Sequence, residues 1–173
     1  NCTITDLDIS DNPLFYTTEA SGQAGTAGVD IRKGIGENHT LVRLNLSNNG
    51  FLPPEVVPIL GGFARNAHLQ RMNLSKTILD EPSCLQLANA LITADNINTI
   101  ELRDCRMGPK GGGLVLHMIE KICNRLTKVD ISGNLIGSYC IIPLTRCVQQ
   151  PGCRIATLDV SRNKLEKDGG VFV

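Results

Sequence analysis

Apolar residues recur along this chain in a fixed frame. The frame reads apolar-x-x-apolar-x-apolar, and a turn residue follows three positions after the third apolar residue. The clearest copy is Leu126-Thr-Lys-Val-Asp-Ile-Ser-Gly-Asn134. Six copies are in register, and they begin at Ile4, Leu41, Leu69, Ile97, Leu126 and Ile155. Steps of 37, 28, 28, 29 and 29 residues separate them. Such a period predicts stacked units, each burying its apolar face on its neighbours.

This spacing is typical of leucine-rich repeats, in which a short strand ends at an Asn-type turn. We expect strands of about five residues. The rest of each period is long enough for a helix on the outer face. The sequence therefore predicts an α/β fold, a leucine-rich repeat solenoid (horseshoe) with a parallel concave sheet, outer helices and about six repeats of 28–29 residues.

Helix starts are marked by proline, which fits the first turn of a helix. Pro53-Pro54 and Glu81-Pro82 open two helical segments. Ser138 is predicted to cap a further helix over 139–148. In the helix after Glu81, an apolar stripe is predicted at Leu85, Leu87, Ala88, Leu91 and Ile92.

The whole of residues 1–173 is predicted to be one leucine-rich repeat domain. The long first step contains an insertion at about 15–28, rich in Gly, Thr and Ala, which we interpret as a surface loop. Both ends lack a recognisable polar cap, so we expect a piece of a longer solenoid. Uncapped ends also predict fraying or self-association.

The charge and the cysteine content limit which classes of partner and which compartment we expect. The chain has 17 basic and 17 acidic residues, so it has no basic field to attract nucleic acid. Its apolar runs are too short for direct membrane insertion. Seven cysteines without a C-x-x-C pair favour free thiols in a reducing compartment. We therefore expect a cytoplasmic protein.

Catalytic chemistry is not indicated. His39, His68 and His117 fall in three different repeats, and only His117 has a carboxylate, Glu120, one helical turn away. Gly108-Pro-Lys-Gly-Gly-Gly113 lacks the Gly-Lys-Ser/Thr ending of a phosphate loop, so we interpret it as the turn that joins a strand to an outer helix. We predict no enzyme activity, no cofactor and no metal.

The predicted concave face carries three polar columns, because alternate strand residues point outward. Two flank the strand centres and the third follows two residues later, mostly as serine. We expect Lys128 and Asp130, on one strand, to screen each other. The residues predicted to contact a protein partner are Arg43, Asn45, Arg71, Asn73, Thr99, Glu101, Lys128 and Asp130. Trp, Tyr and Phe anchors are missing from these columns, which indicates an interface of modest affinity.

The period and helical outer face resemble the ribonuclease-inhibitor-like class of leucine-rich repeats. Within that class, the chain from Leu41 to Asn163 is similar to the repeat array of the CARMIL actin regulators. Pro53-Pro54 after a strand, Asn73-Leu-Ser-Lys-Thr77 and Asp104-Cys105 before a Gly-rich helix start carry this resemblance. It implies a non-enzymatic scaffold in a multidomain regulator of the actin cytoskeleton. The alternatives are the ligand-sensing repeats of a NOD-like receptor and a GTPase-activator-type repeat protein.

Overall fold

The computed structural model describes residues 3–12 and 27–165, which form alternating strands and helices. The strands are β1 (Asp6–Asp8), β2 (Arg43–Asn45), β3 (Arg71–Asn73), β4 (Thr99–Glu101), β5 (Lys128–Asp130) and β6 (Thr157–Asp159). The helices are α1 (Ala27–Glu37), α2 (Pro53–Phe63), α3 (Glu81–Thr93), α4 (Gly108–Ile122) and α5 (Ile141–Gln149). A 3₁₀ turn, Ser138–Cys140, precedes α5. The predicted insertion at 15–28 lies outside the described residues except for its last two positions, which begin α1.

The six strands form one parallel sheet in chain order, from β1 to β6. Equivalent residues of successive repeats pair directly, as Arg43 does with Arg71 and Thr99 does with Lys128. This register confirms the frame predicted from the sequence. Each strand has three residues where about five were expected, because the chain bends into the turn one residue after the triplet. Backbone hydrogen bonds between neighbouring coils continue past it, as from Leu46 N–H to the Asn73 carbonyl at 2.9 Å.

A continuous apolar core lies between the sheet and the helices. The central residue of β2, β3, β4 and β5 is buried, and these residues are Leu44, Met72, Ile100 and Val129. Successive helices pack on one another from α1 to α5. In α3 the buried stripe includes Leu87, Ala88 and Leu91 as predicted. Leu85 and Ile92 were wrongly placed in it, since both are exposed on the side of α3 that faces away from the core.

A ladder of asparagine side chains joins the turns that follow the strands. Asn134 is fully buried, and its Oδ1 accepts from the Cys105 N–H of the preceding repeat at 2.7 Å. Its Nδ2 donates to the carbonyls of Leu102 at 2.6 Å and Ile131 at 2.9 Å. Asn49 and Asn163 bond in the same way. Each asparagine therefore satisfies backbone groups in its own coil and in the one before it.

The ladder changes where the sequence departs from asparagine. The hydroxyl of Thr77 is buried without a hydrogen-bond partner among the described residues. Cys105 recovers two contacts, since its Sγ lies 3.3 Å from the Leu74 carbonyl and 3.5 Å from the Arg103 carbonyl. Thr77 and Cys105 therefore supply only part of the bonding that asparagine provides at this position.

A second set of asparagines, which the sequence analysis missed, supports the turns that enter the strands. Asn66 Oδ1 accepts from the N–H groups of His68 and Leu69, each at 2.8 Å, and its Nδ2 donates to the Ile35 carbonyl at 2.7 Å. Asn38 makes the equivalent turn one repeat earlier. Their common position, three residues before the first apolar residue of a repeat, was a signal available in the sequence.

The Gly-rich segment Gly108–Gly113 forms the first turns of α4, whereas the sequence analysis had assigned it to the turn before that helix. Two of its glycines allow close packing between repeats. A Cβ on Gly111 would lie 2.7 Å from Cys84 Sγ, and one on Gly112 would lie 2.6 Å from Ile136 Cγ1. The prediction that Ser138 caps the next helix is wrong, since it opens the 3₁₀ turn and makes no cap hydrogen bond.

Candidate functional site

The exposed face of the sheet consists of the side chains that point away from the helices, in the three columns expected from the sequence. The first column is Asp6, Arg43, Arg71, Thr99, Lys128 and Thr157. The second is Asp8, Asn45, Asn73, Glu101, Asp130 and Asp159. The third is Ser10, Ser47, Ser75, Arg103, Ser132 and Ser161. We call this surface the sheet face.

Most side chains of the second column stabilise the turns that follow the strands. In five of its six positions an Asp or Asn Oδ1 accepts from the N–H two residues later, at 2.9–3.1 Å. These are Asx turns, which suit short side chains. Asn45, Asn73 and Asp130 were predicted to contact a partner, yet each of them already stabilises its own turn. The Asx spacing, Asp or Asn two residues before Ser, was readable in the sequence and was missed.

The fourth repeat departs from this pattern. Its second-column residue is Glu101 and its third-column residue is Arg103, and Arg103 N–H bonds to Ser75 Oγ at 3.1 Å. Glu101 pairs with Lys128 on the next strand. The guanidinium of Arg103 reaches Asp130 at 2.8 Å. Arg103, the one non-serine in its column, is thus part of the site, although the sequence analysis did not include it.

Ion pairs on the sheet face form between neighbouring repeats. Arg43 pairs with Asp6 at 3.0 Å, and Lys128 and Asp130 pair with residues of the adjacent repeat. The expected screening of Lys128 by Asp130 is therefore wrong. Side chains on successive strands are close neighbours, so Arg43, Lys128 and Asp130 each pair with a residue of the adjacent repeat.

Arg71 is the exception among the basic residues of the first column. It is exposed, and within residues 3–12 and 27–165 its guanidinium makes no ion pair or side-chain hydrogen bond. Its direct cross-strand neighbour is Arg43, and like charges in that position repel. Asp6 offsets the charge of Arg43, whereas the charge of Arg71 is not offset.

Two predicted contact residues expose little surface. Thr99 is 8% exposed and Asp130 is 7% exposed. Thr99 Oγ1 donates to Asn98 Oδ1 at 2.9 Å. Both residues therefore offer little exposed surface to a partner, and their side chains instead bond to neighbouring residues.

Around Arg71 the sheet face forms an open depression of about 340 Å³. Seven of the eight predicted contact residues line it, all except Asp130. Asp6 and Thr127 line it as well. A wide, polar, open surface of this kind is suited to a protein partner, since small-molecule sites are concave and mostly apolar.

Asp130 has a pKa that is set by two opposing effects. Burial alone raises the pKa of this carboxyl, but hydrogen bonds from Ser132 and the Arg103 guanidinium outweigh it, so the pKa lies below its ordinary value. Hydrogen bonds from Ser10 and Ser161 likewise lower the pKa of Asp8 and of Asp159. These three carboxylates are therefore charged in the folded protein at neutral pH.

Because these pKa values are lowered, the free energy of unfolding should depend on pH in the acid range. A carboxyl whose pKa is lowered by folding stabilises the fold above its unfolded-state pKa of about 3.9, and this stabilisation is lost as pH falls through the folded-state value. We expect Asp130→Asn to lower the free energy of unfolding by about 1–2 kcal/mol at pH 7. As pH falls through the folded-state pKa of this carboxyl, the difference in stability between the variant and the parent should shrink. Urea unfolding between pH 2 and pH 7 measures the difference.

The control for this series is Asp95→Asn, because Asp95 forms an exposed ion pair with Arg125 at 2.8 Å and has no serine turn. Exposed pairs contribute about 0–1 kcal/mol. An Asp130→Asn variant that keeps the parent's full acid dependence would contradict the assignment.

The other candidate groups do not assemble into a catalytic set among the described residues. His39 and His68 lie on neighbouring turns with ring centroids 6.1 Å apart. His117 Nδ1 lies 3.4 Å from Glu120 Oε2, as their spacing suggested. No helix of the described residues is long and apolar enough to cross a bilayer.

Parallel strands in register, a helix after each of the first five and an asparagine ladder between turns define a leucine-rich repeat solenoid. The family described as "Leucine Rich repeat" matches residues 1–14 and 37–52, which contain the first two strands. The chain thus has the fold of a leucine-rich repeat solenoid.

The chain resembles known proteins both in sequence and in structure. Over 142 residues, 77% of this chain, it is 23% identical to the Rho GTPase-activating protein gacW of Dictyostelium discoideum, and it spans 13% of that protein's length. It also superposes on leiomodin-1 actin-binding site 2 with a TM-score of 0.62 and 12% identity, covering 82% of this chain and 76% of the other. At that identity the likeness shows the fold alone.

Proposed function

We propose that the chain is a non-enzymatic protein-interaction scaffold, and that the sheet face is the surface that binds the partner. The observation that carries this proposal is Arg71, an exposed cation without an ion pair among the described residues, which faces Arg43 across the sheet. An acidic group on a partner would relieve that repulsion. Such complementarity gives specificity and faster association rather than very high affinity.

The context we propose is regulation of the actin cytoskeleton in the cytoplasm, of the CARMIL type. Two observations support it. The resemblance in sequence covers most of the described repeats, and a solved structure with the same fold is an actin-binding site of leiomodin-1. The shallow polar face fits a regulated contact of modest strength, because tight interfaces centre on buried anchors such as aromatic side chains, and its columns contain no Trp, Tyr or Phe.

A second candidate is a scaffold in signalling by Rho-family GTPases. The observation in its favour is the sequence relation to a Rho GTPase-activating protein. A repeat segment of such a protein would position the GTPase or a regulator, with hydrolysis stimulated elsewhere.

Arg71→Glu tests whether the sheet face binds. We expect the 173-residue chain to bind purified monomeric or filamentous actin, and the substitution to weaken this binding about tenfold or more. The reversed charge attracts Arg43, so the variant should be at least as stable as the parent in urea unfolding. Loss of binding would therefore not reflect misfolding. Sedimentation with filaments and titration of labelled monomer measure the two forms of actin.

The matched control is Arg146→Glu, which makes the same change of net charge on an exposed residue of α5. If Arg71→Glu and Arg146→Glu bind alike, the sheet face is not the binding surface. If neither form of actin binds, affinity capture from a lysate compares proteins retained by the parent with those retained by each variant. Specific retention of a Rho-family GTPase would favour the second candidate.

A further inference from the structure

Three cysteines from the fourth and fifth repeats meet near the ends of α4 and α5. Cys123 follows the last residue of α4, Cys147 lies in the last turn of α5, and Cys153 lies in the loop before β6. Their sulfurs are all within 4.8 Å of one another. Cys123 and Cys147 are buried, and Cys153 is partly exposed. The cluster is therefore enclosed on one side and accessible on the other.

The other described thiols are placed differently. Cys84, Cys105 and Cys140 each direct the sulfur towards a backbone carbonyl, at 3.7, 3.3 and 4.0 Å. Cys123 instead directs its thiol towards Gln150, whose Oε1 lies 3.4 Å away. Two neighbouring repeats thus gather three sulfurs and an amide oxygen, while the other thiols of the described residues serve as small core residues.

We propose that Cys123, Cys147 and Cys153 form a site for a thiophilic d¹⁰ cation, Zn²⁺ in the first instance. Zinc–sulfur bonds of about 2.3 Å place tetrahedral thiolates about 3.8 Å apart. The cluster therefore needs a contraction of about 1 Å or less. Thiolates select Zn²⁺ and Cu⁺ over the harder Mg²⁺ and Ca²⁺. Zinc usually takes four ligands, and Gln150 Oε1 or a water completes the set.

The protonation state of the cluster is consistent with such a site. Burial raises the pKa of the Cys123 thiol and of the Cys147 thiol. Without a cation the Cys123 and Cys147 thiols are neutral, so they lie together without repulsion. A bound metal ion displaces their protons and holds three thiolates in place. It would tie the ends of α4 and α5 to the loop before β6, and so strengthen the junction between the fourth and fifth repeats.

The test uses the full 173-residue chain with Cys2→Ser, so that thiols of the described residues alone contribute. Zn²⁺ is titrated under reducing conditions against a chromophoric chelator, and Co²⁺ reports sulfur ligation through its charge-transfer absorption. We expect one ion per chain. Loss of even an outer hydrogen bond to a ligand costs about 10–100-fold in metal affinity, so Cys153→Ser should weaken binding by about 100-fold or more.

The matched control is Cys140→Ser, which removes a buried thiol outside the cluster and should leave Zn²⁺ affinity unchanged. Circular dichroism establishes that each variant is folded. If Cys153→Ser does not fold, Cys153→Ala takes its place, since its position is partly exposed. Equal affinity in the Cys153 and Cys140 variants would overturn the proposal. So would the absence of bound ion in the parent, with the three cysteines recovered as thiols or as a disulfide.

Discussion

Asn134→Ala should lower the free energy of unfolding by about 3–5 kcal/mol. The side chain is fully buried, and its removal leaves the Leu102 carbonyl and the Cys105 N–H without the partners that they have here. Each unsatisfied buried polar group costs about 1–3 kcal/mol, and the lost side-chain volume adds a cavity cost. Because domains of this size are stable by about 5–15 kcal/mol, the loss is large. Equilibrium urea unfolding measures it.

Thr77→Val provides the contrast in the same ladder. The Thr77 hydroxyl is already buried without a described partner, so its replacement by a methyl group should raise the free energy of unfolding by about 1 kcal/mol. If Asn134→Ala costs less than 1 kcal/mol, the ladder is not what holds neighbouring turns together. Together, the two variants compare a hydrogen-bonded polar side chain with an unbonded one at equivalent positions of the ladder.

The sequence was sufficient to predict the strands, their parallel register and the columns of the sheet face. This success has a physical reason. Side chains alternate between the two faces of a strand, and most of the repeats have nearly the same length. Only one register of the strands therefore places all the apolar residues towards the core. Leu44, Met72, Ile100 and Val129 are buried for that reason. The helix boundaries marked by Pro53 and Glu81 were likewise local signals.

The charge pairing on the sheet face was not predictable in the same way. Lys128 and Asp130 share a strand, yet each pairs across strands, because the flexible stems of Glu101 and Arg103 reach the neighbouring repeat. The Cys123 cluster is similarly non-local, since its members are separated by 24 and 6 residues in sequence. Such contacts depend on how the helices end, which the hydrophobic pattern leaves open.

Gly112→Val should lower the free energy of unfolding by about 3 kcal/mol. A Cβ at this position would lie 2.6 Å from Ile136 Cγ1 and 3.1 Å from its Cγ2. Ile136 is 1% exposed, so it has little room to move away. Insertion of methyl groups into a packed core costs about 1–3 kcal/mol and occasionally more, and valine also restricts the helix at its χ1. The structural role of the Gly-rich segment rests on this close approach of α4 to the next repeat.

Gly113→Ala, one residue further along α4, should have the opposite effect. A Cβ there would meet no atom within 4 Å, so alanine gains helix propensity without a clash and should stabilise by about 0.5–1 kcal/mol. The two glycines look alike in the sequence, and only the packing of α4 distinguishes them. If both substitutions destabilise, the segment needs backbone freedom rather than space. If both are harmless, the contact between Gly112 and Ile136 does not set the spacing of these repeats.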